Sequence, residues 1–296
     1  MKNKFIKSYN LILTSILLIG IFIPSIIFAA FIKVQNEGNI SAGDTSIINI
    51  YLDTEGQKIN SIDGAISLAG VNSSNFEIKD ISLVNSVFNM WPKKPVVDNN
   101  KISFIGGVPG GVNGENLLLF KIILKINESG EFKIIPTNVI AYLNDGLGTA
   151  LNIAKKESVI SVDLSSGESQ DKWEEIVSND HTPPIPFKIT LAQDENLYDG
   201  KKFISFETTD KESGISHYEV KEGIYPIVRA EMNYVLIDQR GKSDITVTAY
   251  DKAGNTQVST LKHKVSNYFI VFIVIIILFM YQLIKRFRKS KNKINV

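Results

Sequence analysis

Four oxygen-bearing side chains, Asp210, Glu212, Asp251 and Asn255, stand in two turn-forming stretches, Asp-Lys-Glu-Ser-Gly at 210–214 and Asp-Lys-Ala-Gly-Asn at 251–255. A hard cation takes several oxygen ligands, so these four would make a calcium site if their turns met at one end of a domain. The same residue types also favour turns without any ion, because Asx side chains hydrogen-bond their own backbone. Trp91, flanked by Phe88, Met90 and Pro92, offers a second chemistry. An exposed indole is a platform for a sugar ring or an anchor for a protein partner, and Trp91 is therefore a ligand-binding candidate. A lone Trp beside Phe and Met more often closes one end of a sandwich core, the stronger of the two readings. The glycine-rich run at 106–114 resembles a phosphate cradle only in composition. It lacks the Lys-Ser/Thr ending and precedes a strand-like run, so it reads as a loop or bulge.

Catalytic chemistry is missing. The chain has no cysteine, which excludes thiolate nucleophiles and thiolate metal sites. His181, His217 and His263 fit no metal-ligand spacing, and there is no nucleophile elbow, zinc-protease helix or nucleotide fingerprint. Glu174 and Glu175 are adjacent, so on a helical turn they do not face one another as an acid/base pair would. The expectation is a protein that binds, not an enzyme, with no cofactor beyond the calcium considered above.

The ends of the chain set where it works. Residues 1–30 carry Lys2, Lys4 and Lys7, an uncharged run from Leu11 to Ile23, then Pro24 and the small pair Ala29 and Ala30. That order is the layout of a secretory signal peptide, with an uncleaved anchor as the alternative. Residues 268–284 contain no charge, and as a helix they would span roughly 26 Å, enough to cross a bilayer with little tilt. The tail 285–296 comes next with Lys285, Arg286, Arg288, Lys289, Lys291 and Lys293. Basic residues accumulate on the cytoplasmic side, so both ends predict a single-pass cell-membrane protein with the ectodomain outside and the C-terminus inside.

Charge supports this division. The 296 residues carry 32 basic and 31 acidic side chains, for a net charge of +1. Nine of the basic residues and none of the acidic ones lie in the two ends, leaving 23 against 31, or −8, in the ectodomain. An acidic ectodomain speaks against a nucleic-acid partner. An exported chain without disulfides must rest on its core alone, as bacterial surface proteins commonly do.

Between the ends, apolar and polar residues alternate at 47–52, 65–68, 101–105, 117–126, 132–135 and 159–162. These are predicted strands, punctuated by Gly, Asn and Asp turns at 36–39, 42–44, 53–56, 98–100, 127–130 and 144–148. Residues 164–181 begin with the polar stretch Leu-Ser-Ser-Gly-Glu-Ser-Gln-Asp-Lys, which reads as a linker, and 173–177 suggest a short helical turn. After His-Thr-Pro-Pro-Ile-Pro-Phe, strands are predicted at 187–191, 203–208, 217–220 and 245–250. The fold class is all-β: two β-sandwich domains, 31–163 and 182–262, with a signal helix before them and one membrane helix after.

Three segments carry a likeness to a known family. "SAGDTSIINIYLDTEGQKINSIDGAISL", "FNMWPKKPVVDNNKISFIGGVPGGVNGENLLLFKIILKINESGEFKI" and "IAYLNDGLGTALNI" together resemble the cohesin domains, jelly-roll-like β-sandwiches related to carbohydrate-binding modules. The resemblance covers 31–163 and implies binding through a sheet surface, either of another protein's dockerin module or of a polysaccharide. No paired Asp-rich dockerin loops occur in this chain, so a dockerin-like partner would be a separate extracellular protein. "TTDKESGISHYEV" and "ITVTAYDKAGN" resemble bacterial immunoglobulin-like or fibronectin type III-like repeats, which implies a spacer over 182–262. The expected function is a membrane-anchored surface protein working by adhesion or scaffolding. A carbohydrate-recognition module and a structural envelope protein without a specific ligand are the alternatives.

Overall fold

The computed structural model describes residues 30–70, 75–164, 167, 169–263 and 267–294, so the expected signal segment lies outside the described residues except for Ala30. The chain divides into two compact units, Met1–Ile176 and Val177–Val296.

The first unit contains β1 (Phe31–Asn36), β2 (Thr45–Asp53), β3 (Ile59–Gly70), β4 (Phe76–Ser82), β5 (Met90–Asp98), β6 (Lys101–Val112), β7 (Leu117–Ile126), β8 (Gly130–Leu143), β9 (Ala150–Asn152) and β10 (Ser158–Val162). They form a four-stranded sheet, β1-β2-β7-β4, and a larger one, β10-β8-β3-β6-β5, with β9 beside β8. Ile48, Ile50, Ile122 and Leu124 from the first sheet share one core with Ile62, Ile66, Ile102, Phe104 and Ile134 from the second. This is a β-sandwich, as the alternation predicts. Phe104 and Phe120 meet edge-on between the sheets, their ring centroids 5.0 Å apart, and Phe76 meets Phe132 at 5.2 Å. Asn99 takes φ 53° in the two-residue turn between the paired residues Asp98 and Lys101, a conformation Asn tolerates and a tight hairpin requires.

The glycine run belongs to a strand. Gly106 to Val112 continue β6, and the register between β3 and β6 shifts opposite them, between Ile59 and Ser61. Of the expected loop or bulge, the bulge is what forms: Ile59 pairs with Val112 and Ser61 with Gly107, and a Cβ on Gly107 would stand 2.6 Å from the Asn60 carbonyl oxygen. Glycine there lets two backbones approach. Gly107→Ala should force β3 and β6 apart and cost about 1–3 kcal/mol, read as a lower urea midpoint with the same slope.

The predicted linker is tied to the first unit at Gln170 and Asp171. Thr45 N donates to the Gln170 carbonyl at 2.9 Å and Gln170 N to Asp44 Oδ1 at 2.8 Å. Asp171 accepts Thr45 Oγ1 at 2.9 Å through Oδ2 and caps the next helix by accepting Glu174 N at 2.9 Å through Oδ1. That helix, α1 (Lys172–Asn179), extends the short helical turn expected at 173–177.

The second unit holds β11 (Thr190–Gln193), β12 (Lys202–Ser205), β13 (Ile215–Glu222), β14 (Val228–Ala230), β15 (Asn233–Val235), β16 (Ile245–Asp251) and β17 (Thr256–Leu261). They make two antiparallel sheets, β11-β12-β15 and β14-β13-β16-β17. Ile204, Phe206 and Leu236 pack with Tyr218, Val220, Val247 and Ala249 between them. Burial pushes the Tyr218 hydroxyl pKa up against the opposing hydrogen bond with Thr208. This unit is also a two-sheet sandwich. Its turn 238–243 closes on Asp238, which accepts Arg240 Nε at 3.1 Å together with Arg240 N, Lys242 N and Ser243 Oγ. The Arg240 side chain first, with these other donors, outweighs desolvation and lowers the carboxyl from 3.8 to about 2. A depressed folded-state value stabilises above the unfolded value and is lost as pH falls through about 2. Asp238→Ala should therefore lower the Tm at pH 7, with the gap to the wild type closing as melts are taken from pH 4 down to pH 2 (about the window between the two values).

A terminal helix, α2 (Asn267–Ile294), closes the described chain, with side chains described over 272–285. Every apolar side chain from Phe272 to Tyr281 is exposed, so no face of that stretch is covered by the chain itself. Among the described residues, no helix is long and apolar enough to cross a membrane.

Candidate functional site

The outer face of β10-β8-β3-β6-β5 is built by strand alternation. With Ile62, Ile66 and Leu68 of β3 in the core, Ser61, Asp63, Ala65 and Ser67 point the other way. Register then fixes the rows across the sheet. Ala65 stands between Thr137 of β8 and Ser103 of β6, whose own partner is Val96 of β5. One row along, Asp63 lies between Ile140 and Ile105, and on the other side Ser67 lies between Ile135 and Lys101. The Ala65 row is thus small and uncharged, with the exposed carboxylate of Asp63 one row away on the same strand. The hydroxyls of Ser67 and Thr137 sit 3.2 Å apart across the strands. Ile105, Ile135 and Ile140 are half-buried around this centre, while Met90 and Val96 on the edge strand are exposed. Charges of both signs, Lys93, Lys101, Asp98 and Lys133, form the margin, and Lys133 pairs with Glu157 at 2.9 Å. Tyr142 is the one aromatic side chain among the described residues of these rows.

The opposite sheet is different. Ile47 and Ile123, on the outer side of β2 and β7, are buried, as is Asn49. That face is largely closed within the chain.

Trp91 lies on the inner side of the edge strand. It is 4% exposed, donates Nε1–H to the Phe88 carbonyl at 3.2 Å and meets the Phe88 ring at 5.9 Å between centroids. A Cβ on Gly106 would come within 2.6 Å of its Cζ3, so the indole packs over a glycine floor. The expectation of an exposed aromatic platform is corrected here. The ring gains more from core burial than it could from solvent, and its N–H is already satisfied.

The four oxygen-bearing residues of the second unit divide. Asp210 and Asp251 do come together, and Asp180 joins them, a residue the linker reading passed over. Glu212 turns away and accepts Thr182 Oγ1 at 2.6 Å. Asn255 acts as a brace: its backbone N donates to Asp251 Oδ1 at 2.8 Å, and its Nδ2 donates to Asp251 Oδ2 at 2.9 Å and to the Asp180 carbonyl at 3.1 Å. The signal for Asp180 was its place just before His-Thr-Pro-Pro, where prolines hold the chain extended and leave a preceding Asp free to accept hydrogen bonds from the next residues. Burial pushes the Asp180 carboxyl up, but hydrogen bonds from Ser213 and Thr182 outweigh it and hold the group below its ordinary value.

No protein-family model matches the chain, and no curated protein matches it. Among solved structures the chain is similar to a cohesin module of a family 33 glycoside hydrolase from Clostridium perfringens ATCC13124, at 12% identity and a TM-score of 0.38, over 46% of this chain and 98% of that one. It is also similar to a non-cellulosomal cohesin from the hyperthermophilic archaeon Archaeoglobus fulgidus, at 15% identity and 0.39, over 47% and 93%. A third is the third ScaB cohesin of R. flavefaciens, solved with a group 1 dockerin, at 13% identity and 0.30, over 50% and 98%.

Proposed function

We propose that this chain is a membrane-anchored bacterial surface protein whose first sandwich binds another protein, of the dockerin type, through the outer face of its larger, six-stranded sheet. One observation carries the reading: the face has a row of small uncharged side chains at Ala65, Ser103 and Thr137, an apolar flank, and charges of both signs around it, Asp63 among them. That is the anatomy of a protein interface, where a partner helix can approach a flat centre and the margin fixes register. A polysaccharide would instead call for a row of exposed aromatics, and Tyr142 stands alone there. The cohesin resemblance of residues 31–163 supports the same partner class. The uncharged run 268–284, its uncovered apolar side chains and the basic residues after it support a single-pass anchor with the two sandwiches outside. Tethering would then raise the effective concentration of the module for ligands at the cell surface. The second sandwich acts as the spacer.

The test is binding by the full chain in detergent to a panel of purified dockerin-type modules, beside an array of polysaccharides, with calcium held constant. Saturable binding of one module supports the reading. Saturable polysaccharide binding with no module bound would replace it by carbohydrate recognition, and silence in both arms would leave a structural envelope protein.

A further inference from the structure

Three carboxylates from three separate segments meet at one end of the second sandwich. Asp180 precedes the extended approach to β11, Asp210 lies in the turn before β13, and Asp251 ends β16. Each offers an oxygen within 4.8 Å of the others, and the three residues are only 3%, 5% and 2% exposed. Among the described residues, no lysine or arginine pairs with any of them. Three like charges removed from water repel one another and need compensation, since burying an unpaired charge is costly.

The donors around the cluster use only part of its accepting capacity. Asp180 accepts Thr182 N and Oγ1 through Oδ1 and Ser213 N through Oδ2. Asp210 accepts Glu212 N and Gly214 N, both through Oδ1. The turn 212–214 thus aims three successive N–H groups at two of the carboxylates, which places Ser213 between them. Its hydroxyl is the independent observation. Ser213 is 0% exposed, and its Oγ makes no hydrogen bond. A buried hydroxyl without a partner, beside three carboxylates without a cation, marks a place built for something that satisfies both.

We propose that Asp180, Asp210 and Asp251 hold one calcium ion, with the Ser213 hydroxyl as the neutral oxygen beside it. A proton shared between two of the acids would leave the cluster at −2, whereas a divalent ion touching all three leaves −1. The chemistry is all oxygen, without the histidine or cysteine that zinc and later transition metals prefer. All three offered oxygens lie within 4.8 Å of one another, close enough to reach one ion with bonds of about 2.4 Å. Magnesium demands a strict octahedron and gives up its waters reluctantly, so a buried set of protein oxygens favours calcium. The ion would tie the segment before β11 to the β12–β13 and β16–β17 turns, pinning one end of the sandwich.

The experiment is calorimetric titration of the full chain in detergent, stripped with chelator, using calcium chloride alone and magnesium chloride alone, with thermal unfolding followed in parallel. The expected result is one calcium site per chain, magnesium binding at least about tenfold weaker, and a Tm that climbs with free calcium. Asp210→Asn keeps the turn's acceptor and removes one charge. It should weaken calcium by about tenfold or more, yet melt at or above the wild-type Tm in chelator, because repulsion is relieved. A turn residue with no ligand to hold would show no such crossover. Absence of calcium heat and of any calcium-dependent Tm in folded wild-type protein would overturn the proposal without recourse to the variant, as would an unchanged affinity in folded Asp210→Asn.

Discussion

Trp91→Ala should cost the first sandwich about 3–5 kcal/mol, the range for truncating a large buried aromatic, and the loss should appear as unfolding before it appears in any binding assay. The indole is 4% exposed, caps the core beside Phe88 and lies directly against Gly106, which has no side chain to move into the void. Removing it leaves a cavity that the two sheets cannot close without disturbing β5 and β6, and it frees the Phe88 carbonyl from its donor. Chemical denaturation of the full chain, followed by the fluorescence of the remaining tryptophan and by circular dichroism, would register a lower midpoint for the first transition. A variant of wild-type stability that had lost polysaccharide binding would show instead that the ring faces a ligand.

Ser67→Arg should leave stability nearly unchanged and weaken partner binding by a hundredfold or more, about 3 kcal/mol. Ser67 is on β3, between β8 and β6 in the six-stranded sheet, with Ile135 and Lys101 beside it. Its side chain points outward, so an arginine there can reach solvent and disturbs only the contact with Thr137. In a complex, the same arginine would stand as an unpaired charge in the small centre of the face, where the partner's surface must close. Equilibrium titration with a bound module from the panel reads the loss, and Ser67→Ala, which adds neither bulk nor charge, should bind within a fewfold of wild type. Equal losses in both variants would mean that the hydroxyl itself, and not the openness of the centre, is recognised.

Both predictions rest on which side of a strand a residue faces, and alternation made much of that readable. β2 and β7 follow from their apolar patterns, and the long apolar run of β7 marks a central strand. β5 was not readable because Pro92 and Pro95 interrupt it; as an edge strand it needs only one side of its backbone to pair. β14 and β15, at three residues each, carry too short a pattern to stand out. The strand expected at 187–191 forms later, at Thr190–Gln193, after the proline-rich approach.

The acidic cluster was half legible. Asp210 and Asp251 stand out as turn residues, but their convergence with Asp180 joins segments with no shared periodicity, and only the fold brings them together. Glu212 has the right chemistry and the wrong direction, because its neighbours' N–H groups, not its own carboxylate, face Asp210. Ser213 gave no signal at all, since a single serine beside a glycine is ordinary until its hydroxyl proves to be buried without a partner. A binding sheet surface was expected from family resemblance without the face being known, and the composition of the larger sheet's outer face could be assembled only from strand order and register.

Site-specific photocrosslinking tests the central claim most directly. A photoreactive phenylalanine analogue would be placed at Ser103, on the outer side of β6, and in a second protein at Glu77, on the exposed edge strand of the other sheet. With a dockerin-type module bound, the account predicts crosslinks from position 103 and none from position 77. Crosslinking from position 77 alone would contradict it, placing the partner on the sheet whose face is otherwise closed.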